Sequence, residues 1–157
     1  MSDKLYVRWS DIVSHCQCIQ HQVEQERDEV TNIIGVSRGG LIPATILAQM
    51  LNVRNVYSVG VKSYDEDGRY DTRLKTPAVY QDITRAQKKN INSCNGVTLI
   101  VDDISDQGTT LKYITNKYRF MNNRCASLFV KPSTSFIPRY YSESTDEWIV
   151  FPWEVNN

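Results

Sequence analysis

Hydrophobic residues follow a helical period in some stretches of this chain and a strand period in others. Between residues 10 and 28, Ile12, Cys16, Ile19 and Val23 form one apolar stripe at helical spacing, with Ser10 as a candidate N-cap. Residues 33–36 make a short apolar strand that breaks at Ser37-Arg38-Gly39-Gly40. A helix is expected over 41–51, where Pro43 falls in the first turn and is tolerated. Residues 55–62 alternate as a second strand, and 97–101 form an unbroken apolar run of the kind buried on both faces of a parallel sheet. The pattern then predicts a helix over 109–121, a strand over 126–130 and a late, short strand over 148–151. Such alternation specifies an α/β fold, with a central, mostly parallel sheet flanked by helices and right-handed crossovers.

One stretch breaks this rhythm. Residues 63–95 are polar, with Asp65, Glu66 and Asp67 followed by Arg69, Arg73, Lys75, Lys88 and Lys89. A segment of this length inside a compact domain reads as a lid, a hairpin excursion over about 70–82, or disordered chain. Its basic residues would suit a mobile cover over an anionic substrate, and composition alone does not separate that from a solvated hairpin.

With 157 residues, the chain has room for one domain, 1–157. Hydrophobic residues make up 41% and charged residues 23%, ordinary for a soluble globular protein. Lys plus Arg and Asp plus Glu each number 18, so the formal net charge is zero. A dedicated nucleic-acid binder carries a surplus of positive charge, and none is present. No apolar run approaches the roughly 18 residues of a transmembrane segment. Residues 1–9 lack the apolar centre of a signal peptide, so a cytoplasmic location is expected. Four cysteines (Cys16, Cys18, Cys94, Cys125) show no C-x-x-C spacing and read as reduced thiols. The cluster His15-Cys16-x-Cys18-x-x-His21 invites a metal reading, but Cys16 belongs to the apolar stripe. His15, Cys18 and His21 advance by three along another face and converge poorly on one ion.

Chemistry concentrates where two strands end, the place where open α/β sheets bind ligands. The run Asp102-Asp103-Ile104-Ser105-Asp106-Gln107-Gly108-Thr109-Thr110 sets three carboxylates before a glycine and two hydroxyls that open a helix. Its second half is a natural phosphate cradle, because backbone N–H groups and threonine hydroxyls face an anion at the positive helix end. Its first half repels phosphate but suits ribose hydroxyls or Mg²⁺. Helix capping by Asp106 or Thr109 would explain one such residue, not three acids. At the other strand end, Ser37-Arg38-Gly39-Gly40 offers backbone amides beside a guanidinium, fit for a second phosphate or a pyrophosphate. Neither GxGxxG nor GxxxxGK[ST] occurs, which weakens dinucleotide and NTPase readings.

The run from Val97 through Thr110 resembles the phosphoribosyl pyrophosphate (PRPP) signature of type I phosphoribosyltransferases. Ile34-Gly35-Val36-Ser37-Arg38-Gly39-Gly40-Leu41-Ile42-Pro43 is similar to the pyrophosphate loop of their bacterial xanthine-guanine members. Tyr6-Val7-x-Trp9, Ser63-Tyr64-Asp65 and Trp148-Ile149-x-x-Pro152-Trp153 extend the likeness in the same order over nearly the whole chain. The resemblance implies the type I phosphoribosyltransferase fold, with a flexible lid at about 63–95 and a small C-terminal hood that binds the base at about 131–157. It implies transfer of ribose 5-phosphate from PRPP to N9 of a 6-oxopurine (xanthine, guanine or hypoxanthine), with release of pyrophosphate, in purine salvage.

By the same resemblance, Asp102 and Asp103 hold the ribose hydroxyls, and Asp103 and Glu154 lie near Mg²⁺, the implied cofactor. Asp106 acts as general base or transition-state stabiliser. Asp106, Gln107, Gly108, Thr109 and Thr110 bind the 5′-phosphate, while Ser37, Arg38, Gly39 and Gly40 bind pyrophosphate, with a non-proline cis peptide near Ser37–Arg38. Lys131 reads the purine O6, Trp148 stacks on the base and the Ile149 carbonyl meets its 2-substituent. A homodimer or homotetramer is implied. Two positions depart from the family pattern: Gln107 stands for the usual threonine or serine, and Glu154 for an aspartate. Lys62, before Ser63-Tyr64, is closer to hypoxanthine-guanine relatives. Two alternatives stay open, a non-catalytic PRPP-binding regulator and a phosphoribosyltransferase for a different base.

Overall fold

In chain order the elements are β1 (Lys4–Tyr6), α1 (Trp9–Glu26), β2 (Val30–Ser37), α2 (Leu41–Met50), β3 (Asn55–Tyr64), β4 (Arg73–Gln81), α3 (Arg85–Asn92), β5 (Val97–Ser105), α4 (Thr109–Lys117), β6 (Asn123–Val130), β7 (Tyr140–Ser144) and β8 (Trp148–Val150). They come from a computed structural model that describes residues 3–64, 73–119 and 121–154. Among these residues the main sheet runs β4-β3-β2-β5-β6-β7, parallel throughout except for β4, which lies antiparallel along β3. β1 and β8 pair in parallel as a separate ribbon.

The two apolar runs legible in the sequence, β2 and β5, are the centre of the sheet and are buried on both faces. Ile33, Leu99 and Val101 face the core shared with α1 and α2, which includes Ile12, Cys16, Ile19 and Val23. Ile34, Val36 and Ile100 face the other core, with Ile91 of α3 and Leu111 and Ile114 of α4. This three-layer arrangement matches the expected fold class. From β2 the chain proceeds to β3 on one side, and from β5 to β6 on the other. The strand order therefore reverses between β2 and β5, which opens a crevice at their carboxyl ends.

Several boundaries differ from the sequence pattern for local reasons. α1 is entered from Arg8, not Ser10: the Asp11 carboxylate accepts the Arg8 backbone N–H at 2.9 Å and its guanidinium at 3.1 Å. Ser10 lies inside the first turn, where its carbonyl accepts the Ser14 hydroxyl. β5 runs to Ser105, beyond the apolar stretch, because β6 keeps pairing with it at Asp102, Ile104 and Ser105. α4 stops at Lys117, where Tyr118 turns its buried ring toward α3 and donates its hydroxyl to Asp82.

In the polar segment, residues 65–72 lie outside the described residues, while 73–81 and 85–92 are ordered as β4 and α3. Thr84 caps α3 by accepting the Gln87 N–H at 3.1 Å, and Gln87 returns its amide oxygen to the Thr84 N–H at 2.8 Å. No helix among the described residues is long and apolar enough to cross a membrane.

Candidate active site

The crevice is built first by the acids at the end of β5. β2 accompanies β5 only as far as Gly35 opposite Val101, so Asp102 is paired on the β6 side alone, and it lines the gap with Asp103. Asp102 Oδ1 accepts the Asp103 N–H at 2.9 Å, and Asp103 Oδ1 accepts the Ile104 N–H at 2.8 Å. Burial, then the charge of Asp103, raises Asp102 well above the ordinary carboxylate value. Burial also lifts Asp103 to about 6; hydrogen bonds oppose the rise and the charge of Glu154 adds to it. Two crowded carboxylates of this kind suit hydroxyl donors or a cation. No cluster of three or more metal-ligating side chains occurs among the described residues. One or two carboxylates completed by substrate oxygens are, however, the usual protein share of a Mg²⁺ site, and Asp103 with Glu154 nearby fits that pattern.

Beyond the acids the chain turns into α4. Gly108 is the N-cap at φ 80°, the left-handed region, and supplies no capping side chain. A Cβ there would also stand 2.5 Å from the Phe136 backbone nitrogen and 2.8 Å from Thr134 Oγ1. Lys112 donates the first helical hydrogen bond, to Gly108 at 3.0 Å, so the preceding Gly108 and Thr109 amides point out of the helix end. Residues 102–111 line a cleft of about 200 Å³.

The loop after β6 supports this turn from behind. Ser135 donates both its N–H, at 3.0 Å, and its hydroxyl, at 2.6 Å, to the Gln107 carbonyl. The Ser105 hydroxyl donates to the Phe136 carbonyl at 2.8 Å. Gln107 is thus held by its backbone, while its side chain is exposed.

The turn after β2 closes on the one after β5. β2 ends at Ser37, the Ser37–Arg38 peptide is cis as expected, and Arg38 is exposed. Gly40 N–H returns to the Val36 carbonyl at 2.9 Å and Leu41 N–H to the Arg38 carbonyl at 3.1 Å, folding the turn tightly against α2. A Cβ on Gly39 would lie 1.8 Å from Asp103 Oδ2. Only glycine lets the turn approach the β5 carboxylate this closely.

The residues read as base-binding assemble on the C-terminal side. Lys131, just beyond β6, donates its Nζ to the carbonyl of Glu147, the residue before Trp148. The Trp148 side chain is 58% exposed, available for stacking. Trp148 N–H bonds Asp3 O at 2.8 Å and Val150 O accepts Val7 N–H at 3.0 Å. In a parallel ladder the intervening Ile149 therefore directs its own N–H and C=O away from β1. Glu154 is exposed beyond Trp153, whose ring stacks on Phe151 at 4.6 Å and 8°.

The His/Cys cluster of α1 does not converge. His15 Nδ1 meets Ser142 Oγ at 2.7 Å and its ring packs edge-on against Phe129, while Cys16 is in the core and Cys18 and His21 are exposed. All four cysteines are free, and burial pushes the Cys16 thiol up to about 12. Sequence reasoning missed Tyr80, whose hydroxyl lies 3.1 Å from Ser37 Oγ, and the Thr134–Phe136 support. The strand position of Tyr80 and the paired hydroxyls Thr134 and Ser135 are visible in the sequence, but their targets are long-range.

Comparison with known proteins agrees with this geometry. Residues 6–156 match the phosphoribosyl transferase domain family. The chain is 33% identical over 126 residues to a xanthine-guanine phosphoribosyltransferase of Cereibacter sphaeroides, covering 78% of this chain and 68% of that protein. A purine phosphoribosyltransferase from Pyrococcus horikoshii superposes with a TM-score of 0.79 at 32% identity, over 99% of this chain and 97% of that one. The xanthine-guanine-hypoxanthine phosphoribosyltransferase of Helicobacter pylori does so with a TM-score of 0.74 at 25% identity, over 97% and 94% of the two chains. With this family match along nearly the whole chain, and with two turns meeting at a pair of carboxylates where the strand order reverses, the chain belongs to the type I phosphoribosyltransferase family.

Proposed function

We propose that this enzyme transfers ribose 5-phosphate from PRPP to N9 of a 6-oxopurine (xanthine, guanine or hypoxanthine) in purine salvage. The observation that carries the reading is the approach of Gly39 to Asp103, which sets a guanidinium-bearing turn and a helix N-terminus on either side of the same carboxylates. A sugar with phosphate at one end and pyrophosphate at the other matches that spacing of charge.

In the reaction the bond from C1′ to the pyrophosphate oxygen breaks, the bond from C1′ to N9 forms, and the purine sheds a proton. Asp102 and Asp103 hold the ribose hydroxyls, and their negative charge favours the cationic character that develops at C1′. Gly108, Thr109 and Thr110, with Asp106 and Gln107 at the turn, bind the 5′-phosphate at the start of α4. Ser37, Arg38, Gly39 and Gly40 receive the pyrophosphate, Arg38 supplying the positive charge. Asp103, with Glu154 near it, would hold Mg²⁺, which when bound would supply further neutralisation of the leaving pyrophosphate. Asp106 accepts the purine proton. Lys131 donates to the purine O6, an acceptor in 6-oxopurines that the 6-amino group of adenine does not offer. Trp148 covers the ring face and the Ile149 carbonyl meets the 2-substituent.

Asp106→Asn tests the assignment of the base. With proton acceptance removed and shape retained, turnover should fall by roughly a hundredfold or more, while PRPP affinity measured by calorimetry changes little. An equal loss of turnover and PRPP affinity would contradict the role.

A further inference from the structure

Tyr80 stands at the mouth of the crevice on β4, in the stretch that the sequence left unresolved between a lid and a hairpin. Its side chain is largely exposed, yet its hydroxyl has a definite set of partners. It lies 3.1 Å from Ser37 Oγ and donates toward the Ser37 carbonyl at 3.5 Å. The Ser37 hydroxyl in turn reaches the Val59 carbonyl at 3.4 Å. The ring arrives there by crossing Gly60, which is paired with Ser37 in the β2–β3 register. A Cβ on Gly60 would stand 2.3 Å from Tyr80 Cε2 and 2.4 Å from its Cζ. Position 60 thus leaves open the space that lets a β4 side chain reach across β3 to the end of β2.

We infer that Tyr80 is a positioning residue for pyrophosphate recognition, fixing the Ser37–Gly40 turn through Ser37. The inference rests on the reading that this turn receives pyrophosphate. Tyr80 acts through Ser37 and not on the sugar or the purine. Because Tyr80 belongs to β4, a shift of that strand along β3 would change the turn.

Two substitutions reach this contact from opposite sides. Tyr80→Phe deletes the hydroxyl and keeps the ring over Gly60. Gly60→Ala keeps the hydroxyl and displaces the ring, since the colliding atoms are the far end of a side chain. Losing a hydrogen bond of ordinary strength should weaken magnesium pyrophosphate binding and raise the Michaelis constant for PRPP by about three- to tenfold. The Michaelis constant for the purine should stay within about twofold, which a general loss of structure would not spare. The double variant should be no worse than the weaker single variant, because both remove one contact.

The experiment measures magnesium pyrophosphate binding by calorimetry and both Michaelis constants for the wild-type protein and the three variants. If the wild-type protein binds no pyrophosphate, the reading of the turn fails and the inference falls with it. If it binds and Tyr80→Phe binds equally well, or if the purine constant rises as much as the PRPP constant, the inference alone is overturned.

Discussion

Asp103 stands between two neighbours that act on it differently. The Gly39 backbone comes within a side chain's width of its carboxylate, and the charge of Glu154 opposes its ionisation. Gly39→Ala would drive a methyl group into that carboxylate, so either the turn or the acid must move. A displacement of about 1 Å between groups holding the two ends of a reactant costs roughly a hundredfold in kcat/KM for PRPP. Circular dichroism should show the fold retained, and activity within twofold of the wild type would mean that the turn does not close on Asp103. The individual acids and the Ser-Arg-Gly-Gly turn were evident in the sequence because their residue types are unusual at strand ends. Their meeting at Gly39 was not, since it is set by the register of β2 against β5, which no local pattern encodes.

The supporting elements show where pattern reading reaches its limit. β2 and β5 were recognisable because both of their faces are buried, which produces unbroken apolar runs. β1, β4 and β7 are short or lie at sheet edges, so water on one face or more dilutes the pattern, and β4 carries Lys75 and Pro77 besides. α3 was hidden by its polar composition, although Thr84-x-x-Gln87 is a capping signature. Besides the apolar contact of Ile91 with Leu111 and Ile114, α3 is tied to α4 by Asp82, which accepts the Tyr118 hydroxyl and pairs with Lys117 at 3.2 Å and Lys88 at 3.4 Å. Burial pushes the Asp82 pKa up, but these hydrogen bonds and the two lysine charges outweigh it, leaving the value below the ordinary 3.8.

A carboxylate depressed in the folded state contributes stability that is fully present above its unfolded pKa and disappears as pH falls through the folded one. Asp82→Asn should therefore lower stability at neutral pH by about 1 kcal/mol or less, since the side chain is partly exposed and its ion pairs are screened. In a chain of this length that is about 2–4 °C in melting temperature at most. The gap between variant and wild type should close below about pH 4. A gap that persists unchanged into acid would show that Asp82 acts by shape and not by charge.

For the molecule as a whole, the reversal of strand order between β2 and β5 explains why one crevice collects every element of the proposed reaction. Strand ends on both sides deliver their loops to the same place: Ser37–Gly40 from β2, Asp102–Thr110 from β5 and Lys131 from β6. The β1–β8 ribbon brings Trp148 and Ile149 to Lys131 through Glu147. On the proposed reading, Lys131 meets an oxygen at purine position 6. The decisive measurement is pyrophosphate release from PRPP and Mg²⁺ with guanine, xanthine, hypoxanthine, adenine and uracil supplied separately. The account predicts release with one or more of the 6-oxopurines and none with adenine or uracil. Tight PRPP binding with no release for any base would contradict it and leave a PRPP-binding regulator in its place.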